Sequence, residues 1–122
     1  MKQEEKDLLL KDLCSRLPYG VKVFYEYVDN LNKKTYGYSL TLNTWCIDEM
    51  KAEKAVVKPY LFPLSSMTEE QKKEYQYITE RWMYDSSYSI SDSVDWLNKN
   101  HFDYRNLIGR GLAIDATGLN IY

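Results

Sequence analysis

The sequence predicts an α+β fold: an N-terminal helix, a small curled antiparallel sheet of three or four strands, then two or three helices. Three patterns predict it. Leucines recur at helical spacing near the start, β-branched and aromatic residues dominate the segments up to about residue 58, and a capped helical pattern begins at Thr68. Because helices do not alternate with strands, this order favours α+β over a parallel α/β sheet, and it is compatible with a barrel-like closure. The 122 residues fit one domain.

The first half of the chain divides into a helix and two strands. A helix is predicted over 2–16, with Pro18 and Gly20 ending it. A strand is predicted over 21–28, where Val21, Val23, Tyr25 and Tyr27 share one face and Lys22, Phe24, Glu26 and Val28 share the other. A polar turn at 29–34 leads to a second, half-buried strand over 35–43, with one face formed by Tyr36, Tyr38, Leu40 and Leu42.

The next segments are short and extended in this prediction. Residues 45–47 are rich in strand-forming types and predict a third strand, and residues 55–58 predict a fourth. Pro59 and Pro63 bracket an extended piece, and proline argues against a central strand there.

Two helices are predicted in the second half. Thr68 to Gln71 fits a capping box for a helix over about 69–84, with a core stripe of Gln71, Tyr75, Ile78 and Trp82. Ser91 is predicted to cap a helix near 92–100. Residues 103–111 predict a helical turn, residues 112–114 a last strand, and residues 117–122 a loose tail.

The composition argues against several classes of protein. With 16 Lys and Arg against 18 Asp and Glu, the net charge of −2 does not favour binding to nucleic-acid phosphates. Two cysteines do not make a disulfide framework, and no apolar run approaches the roughly 18 residues of a membrane span. The charged start lacks the pattern of a signal peptide, so a cytoplasmic location is expected.

Three segments carry a resemblance to known sequences. They are LPYGVK at 17–22, VKPYLFPLSSMT at 57–68 and DWLNKNHFDYR at 95–105. These segments resemble a group of short uncharacterised proteins of gut bacteria and their prophages and phages, and the likeness spans residues 8 to about 115. It implies an origin in a mobile element and a bacterial cytosolic setting. It implies no catalytic residue, substrate or cofactor.

Twelve tyrosines are the strongest functional signal, because tyrosine offers a large, stiff and amphipathic contact surface. The strand tyrosines fit two interpretations: cross-strand packing in the core, or an exposed platform for single-stranded nucleic acid or a nucleotide. They are Tyr25, Tyr27, Tyr36 and Tyr38. The platform would draw its positive charge from Lys22, Lys33 and Lys34.

A second candidate surface lies on the helix predicted over 69–84. Tyr77, Arg81 and Tyr84 form its more polar stripe, and tyrosine and arginine dominate protein-binding hot spots. The leading hypothesis is a non-enzymatic binding protein that docks a tyrosine-rich surface on a host or phage protein, with association of two copies as a further option. No membrane partner, cofactor or metal is expected.

The catalytic alternative to a binding protein is a small hydrolase that uses Cys46 and His101. A lone histidine after a helix favours capping or packing instead, and a strand cysteine favours packing as a small hydrophobe. Gly109 to Gly111 lacks a phosphate-loop context and predicts a turn. Residues 103–105 fit either a salt-bridged turn or a recognition edge.

Overall fold

The computed structural model describes residues 1–81, 83–85, 87 and 89–122, and its fold is α+β as predicted. In this part of the chain four helices accompany a five-stranded mixed sheet that is open rather than closed into a barrel. The helices are α1 (Gln3–Arg16), α2 (Thr44–Lys51), α3 (Glu69–Arg81) and α4 (Ile90–Lys99). The strands are β1 (Lys22–Val28), β2 (Thr35–Thr41), β3 (Val56–Pro63), β4 (Phe102–Asp103) and β5 (Ile114–Asp115).

The sheet order is β2-β1-β3-β4, and β5 also pairs with β3. β1 is antiparallel to both of its neighbours, whereas β4 and β5 run parallel to β3. The predicted hairpin is therefore confirmed, and β2 forms one edge of the sheet. The half-buried pattern predicted over 35–43 holds only at its end, where Leu40 is partly buried and Leu42 is buried in a hydrophobic cluster. Tyr36 and Tyr38, nearer the hairpin turn, are exposed.

Two hydrophobic clusters hold the sheet. The first joins odd-numbered strand residues to α1 and α2, and its members include Leu9, Leu13, Val21, Val23, Cys46, Ile47, Met50, Val57 and Leu61. The second joins Phe102 of β4 to α3 and α4 through Trp96, Leu97, Tyr75 and Ile78. The predicted core residue Trp82 lies outside the described residues.

The third predicted strand, at 45–47, is wrong, because this segment belongs to α2. Asn43 caps the helix by accepting a 3.0 Å hydrogen bond from the Cys46 N–H. Cys46, Ile47 and Met50 then recur at helical spacing and are buried. The aromatic and β-branched types that favour a strand are overridden by this cap and by burial against the sheet.

The prediction that the Pro59 segment avoids a central strand is also wrong. β3 is central, and Pro59 lies opposite Val23 of β1. Pairing with β1 ends at Pro59, and pairing with β5 begins at the next residue, Tyr60. Because the odd-numbered residues of β1 bond to β2, Val23 and Pro59 form a non-hydrogen-bonded pair, so the missing N–H of the proline removes no bond from the β1–β3 ladder.

The predicted N-terminal cap is confirmed for α3 but is wrong for α4. Thr68 and Gln71 form the expected capping box of α3, with hydrogen bonds of 2.9 and 3.1 Å. α4 begins earlier than predicted, because Ser89 caps it together with Asp92, and Ser91 lies inside the helix. α3 ends at Arg81, before the predicted limit of 84.

Tyr122 ties down the segment that was predicted to be a loose tail. Its hydroxyl accepts a 2.8 Å hydrogen bond from the Lys22 N–H and donates a 2.8 Å bond to the Tyr60 carbonyl. Since Val23 lies opposite Pro59, Lys22 and Tyr60 are the next facing pair of the β1–β3 ladder. The phenol therefore bridges the two strands at the point where direct pairing stops.

Candidate binding surface

Five aromatic rings gather on one face of the hairpin, and we call them the strand ring cluster: Tyr25, Tyr27, Tyr36, Tyr38 and Trp45. The register places Tyr25 opposite Tyr38 and Tyr27 opposite Tyr36. Ring centroids of these two pairs are 5.4 and 5.8 Å apart, and Tyr25 stacks on Trp45 at 4.8 Å. These separations lie within the range of favourable aromatic contacts.

The cluster is half core and half surface, so the core interpretation applies to only part of the strand tyrosines. Tyr25 is buried and Tyr27 is half-buried, as core packing requires. Tyr36, Tyr38 and Trp45 are 41%, 44% and 45% exposed. The buried rings therefore fix the positions of three neighbouring rings that reach solvent.

The chemistry of the cluster is that of neutral phenols and an indole. Burial raises the pKa of Tyr25, and the nearby carboxylate of Glu49 raises it further. The Tyr36 hydroxyl accepts a 2.9 Å hydrogen bond from the Asn32 side chain, which orients this ring beside the turn. Such a surface offers apolar area together with hydroxyl and indole N–H groups, which suits contact with another protein.

An open groove of about 940 Å³ lies beside the cluster. Tyr25 and Tyr27 line it together with Met50, and charged side chains such as Lys54 and Glu53 border it. The groove extends the apolar area of the cluster towards α2 and gives it a charged rim.

The lysines predicted to assist a nucleic-acid platform are divided between locations. Lys22 alternates with Val23 and Tyr25 along β1, so it lies on the face opposite the rings. Lys33 and Lys34 are exposed in the turn before Tyr36. Of these three lysines, only Lys33 and Lys34 are placed close to a ring of the cluster, in the turn that precedes Tyr36.

The second candidate surface, which we call the helical patch, consists of Tyr77, Arg81 and Tyr84. Tyr77 and Tyr84 are 54% and 81% exposed, and Tyr84 follows the end of α3 in a turn. The Arg81 guanidinium lies 5.3 Å from the centre of the Tyr77 ring and 3.5 Å from the Asp85 carboxylate. The patch is thus exposed, but Arg81 is engaged within it.

The structure opposes a nucleophilic role for Cys46. The thiol is fully buried in the first hydrophobic cluster, and burial raises its pKa, which disfavours the reactive thiolate. His101 instead stacks on Tyr122, with ring centroids 3.8 Å apart and 11° between the planes. In the described part of the chain no hydrogen bond joins Cys46 to His101.

His101 has the environment of a packed, neutral imidazole. Burial, with a smaller contribution from the charge of Arg16, lowers its pKa to about 4. Its Nδ1 is buried without a hydrogen-bond partner. The prediction of a packing role is consistent with this environment.

Residues 103–105 span the end of β4 and the start of the turn after it, with Asp103 buried and Tyr104 and Arg105 partly buried. The Asp103 carboxylate accepts 2.9 Å bonds from the N–H groups of Leu107 and Ile108. Tyr104 lies against the guanidinium groups of Arg16 and Arg105, at 5.2 and 4.6 Å. The glycines that follow lie in the predicted turn, with Gly111 at a φ of 75°.

A buried ion-pair network anchors this turn on α1. The Asp12 carboxylate contacts Arg16 Nε at 2.8 Å and Arg105 Nη1 at 2.6 Å. Asp12 and Arg16 are fully buried, and Arg16 also donates a 2.7 Å bond to the Phe102 carbonyl. Sequence reasoning missed this network, because its partners are 93 and 86 residues apart.

Trp45 is the member of the strand ring cluster that sequence reasoning missed. Its place in the cluster depends on α2, which was predicted as a strand. The signal that could have found it is Asn43, a favoured N-cap residue, followed by Cys46, Ile47 and Met50 at helical spacing.

Within the described residues, no group of three or more His, Cys, Asp or Glu side chains could hold a metal ion. Within the same residues, none of the helices has the length and apolar character needed to cross a membrane.

Comparisons with known proteins give no family. Nothing among the family models, the curated proteins or the solved structures matches this chain.

Proposed function

We propose that this chain is a non-enzymatic binding protein, encoded by a phage or another mobile element, that docks its tyrosine-rich surface on a protein partner of the host or phage. The proposed setting is the bacterial cytoplasm. The observation that supports it is the strand ring cluster, in which Tyr36, Tyr38 and Trp45 are each more than 40% exposed. Tyr38 and Trp45 pack on the buried Tyr25 ring, and Tyr36 packs on the half-buried Tyr27 ring.

Pre-ordering of these rings is what makes them useful for binding. A side chain that is already held in place loses little rotamer freedom when a partner covers it. Tyr38 and Trp45 both contact the buried Tyr25 ring, so their positions are set before any partner arrives. The cluster thus has the character of a hot spot, with rigid aromatic anchors at its centre.

The helical patch provides a second surface of the same chemistry. Tyr77 and Tyr84 are more exposed than the strand rings, but no buried aromatic ring supports them among the described contacts. We therefore assign the main contact to the strand ring cluster and a supporting contact to the helical patch.

Affinity capture from bacterial lysate tests this proposal, with the two surfaces as controls for each other. We expect Tyr36→Ser/Tyr38→Ser to reduce recovery of a specific protein by at least about tenfold, because losing hot-spot tyrosines costs about 2 kcal/mol or more. Tyr77→Ser/Tyr84→Ser should reduce it less. Both variants must unfold at the wild-type urea concentration. An identical set of captured proteins from all three chains would refute the proposal.

Single-stranded nucleic acid is the alternative ligand, and the exposed Lys33 and Lys34 beside Tyr36 are the observation in its favour. The same variants should be titrated with labelled single strands at low salt, where phosphate binding is strongest. Binding that weakens in Tyr36→Ser/Tyr38→Ser and falls steeply with salt would favour this alternative over a protein partner.

A further inference from the structure

The outer edge of β2 is open, and hydrogen bonds at its two ends show which residues face it. The Leu42 N–H donates to the Val21 carbonyl at 2.9 Å, and the Asp29 N–H donates to the Lys34 carbonyl at 2.8 Å. Because hydrogen-bonded pairs alternate along an antiparallel ladder, the even-numbered residues of β2 bond to β1. The odd-numbered residues therefore point their backbone N–H and C=O groups outward: Thr35, Gly37, Ser39 and Thr41.

All four outward-pointing residues are exposed, and among the described residues no hydrogen bond to their backbone groups comes from outside the hairpin. Such an edge is a template for another strand, and proteins usually protect it with lysine, proline or a bulge. The seven residues of β2, TYGYSLT, contain no charged residue and no proline, and their pairing with β1 is regular throughout. β2 thus lacks the common protections.

We propose that two copies of this chain associate through β2, strand against strand and antiparallel, so that their two sheets become one. Full overlap of Thr35–Thr41 with its copy places Tyr38 opposite Tyr38 of the second copy. Gly37 then lies opposite Ser39 of the second copy, and Thr35 lies opposite Thr41. These are the residues with outward-pointing backbone groups, so every one of them finds a hydrogen-bonding partner in this register.

A second copy of this chain is favoured over a strand of a different protein for three reasons. The outward residues are arranged symmetrically about Tyr38, so the edge is complementary to itself under a two-fold axis. The strand also carries no charge, so no like charges meet across the pair. In addition, Tyr38 falls at a non-hydrogen-bonded position, where facing side chains approach most closely and two tyrosine rings can pack.

The proposed pairing leaves the faces of the sheet uncovered. The strand ring clusters of the two copies would lie side by side on one continuous surface, joined at Tyr38. This arrangement is independent of the proposed function, because edge pairing can occur whether or not the rings bind a partner.

Charge placed at the facing threonines tests both the pairing and its register. Thr35→Lys/Thr41→Lys sets lysine against lysine twice, and Thr35→Glu/Thr41→Glu sets glutamate against glutamate twice. Each variant alone should dimerise at least about tenfold more weakly than wild type, since like charges directly opposite each other are destabilising. Mixing the two should restore a dimer that contains one copy of each.

The measurement is mass by light scattering and by sedimentation over a wide range of protein concentration. The mass of the wild-type protein should rise from 14.5 kDa towards twice that value as the protein concentration increases. Ser65→Lys/Gln76→Lys adds the same charge at exposed residues away from β2 and should behave as wild type does. If the lysine variant fails to fold, Thr41→Pro replaces it. This substitution deletes one outward-pointing N–H, so it should also weaken dimerisation relative to wild type.

Three outcomes would overturn the proposal. The wild-type protein could keep a mass of 14.5 kDa at every concentration. This outcome would overturn the proposal even if the edge of β2 binds a different protein. The lysine variant could dimerise as well as the Ser65→Lys/Gln76→Lys control. The mass could also grow without limit, which would indicate open-ended assembly instead of a closed pair.

Discussion

Tyr122→Phe removes one oxygen atom from the bridge between β1 and β3. The change leaves the ring, so stacking on His101 at 3.8 Å and contact with Phe62 at 5.8 Å are retained. What is lost is the hydroxyl that accepts from the Lys22 N–H and donates to the Tyr60 carbonyl, each at 2.8 Å. The substitution therefore isolates two hydrogen bonds from the packing around them.

The magnitude follows from those two bonds. A typical internal hydrogen bond contributes about 0.5–1.5 kcal/mol, so their loss should lower the free energy of unfolding by about 1–3 kcal/mol. The lower part of this range applies if water reaches the Lys22 N–H, which lies in an exposed setting. For a domain of this size, each kcal/mol corresponds to roughly 4 °C in Tm.

Urea unfolding followed by tryptophan fluorescence measures this change, with Tyr84→Phe as the matched control. That variant removes the same atom from a side chain that is 81% exposed, so its urea midpoint should equal that of wild type. A Tyr122→Phe midpoint equal to that of the control would refute the bridging role.

The pH dependence of stability gives an independent check on the same bridge. Burial raises the pKa of Tyr122 to about 12, whereas the unfolded side chain titrates near 10. The native state therefore retains the phenol proton to a higher pH than the unfolded state does. This contribution to stability is complete below pH 10 and is lost as the pH rises towards 12. Tyr122→Phe should lack that component of the alkaline slope.

Two further predictions concern buried charge. Asp12→Asn leaves the buried charge of Arg16 uncompensated and should lower the free energy of unfolding by about 3–5 kcal/mol in urea titrations, and wild-type stability would contradict this. Because the pKa of His101 is about 4 when folded and near 6.5 when unfolded, stability should fall as the pH drops from about 6.5 towards 4. His101→Asn, which tolerates the positive φ of 63°, should show a flatter profile in unfolding measured across that range, and an unchanged slope would assign it to other groups.

The elements that could be predicted are those with a long local pattern. The first helix, the hairpin and the capped α3 each extend over many residues, so periodicity and caps outweigh single-residue exceptions. The residues that share a face of β1 and β2 were predicted for the same reason, and the hairpin register then brings Tyr25 to Tyr38.

The elements that could not be predicted depend on distant contacts. β4 was not predicted, and the last strand predicted over 112–114 is found as β5 at Ile114–Asp115. Both strands have two residues, too few for a period, and they exist because β3 offers them parallel partners. The bridge by Tyr122 joins residues 100 and 62 positions away, and no local pattern in the sequence signals it. The strand ring cluster was predicted only in part, because Trp45 joins it through α2.

α2 connects the stability of the fold to the proposed binding surface. Cys46, Ile47 and Met50 anchor this helix in the first hydrophobic cluster, while Trp45 on the same helix stacks on Tyr25. A change that loosens the buried side of the helix should therefore displace the exposed indole as well. It follows that lost binding in a core variant says nothing about the surface unless the fold is measured too. Tyr36 and Tyr38 belong to neither hydrophobic cluster, but Tyr38 contacts Tyr25 of the first cluster, so the fold of their variants must be measured as well.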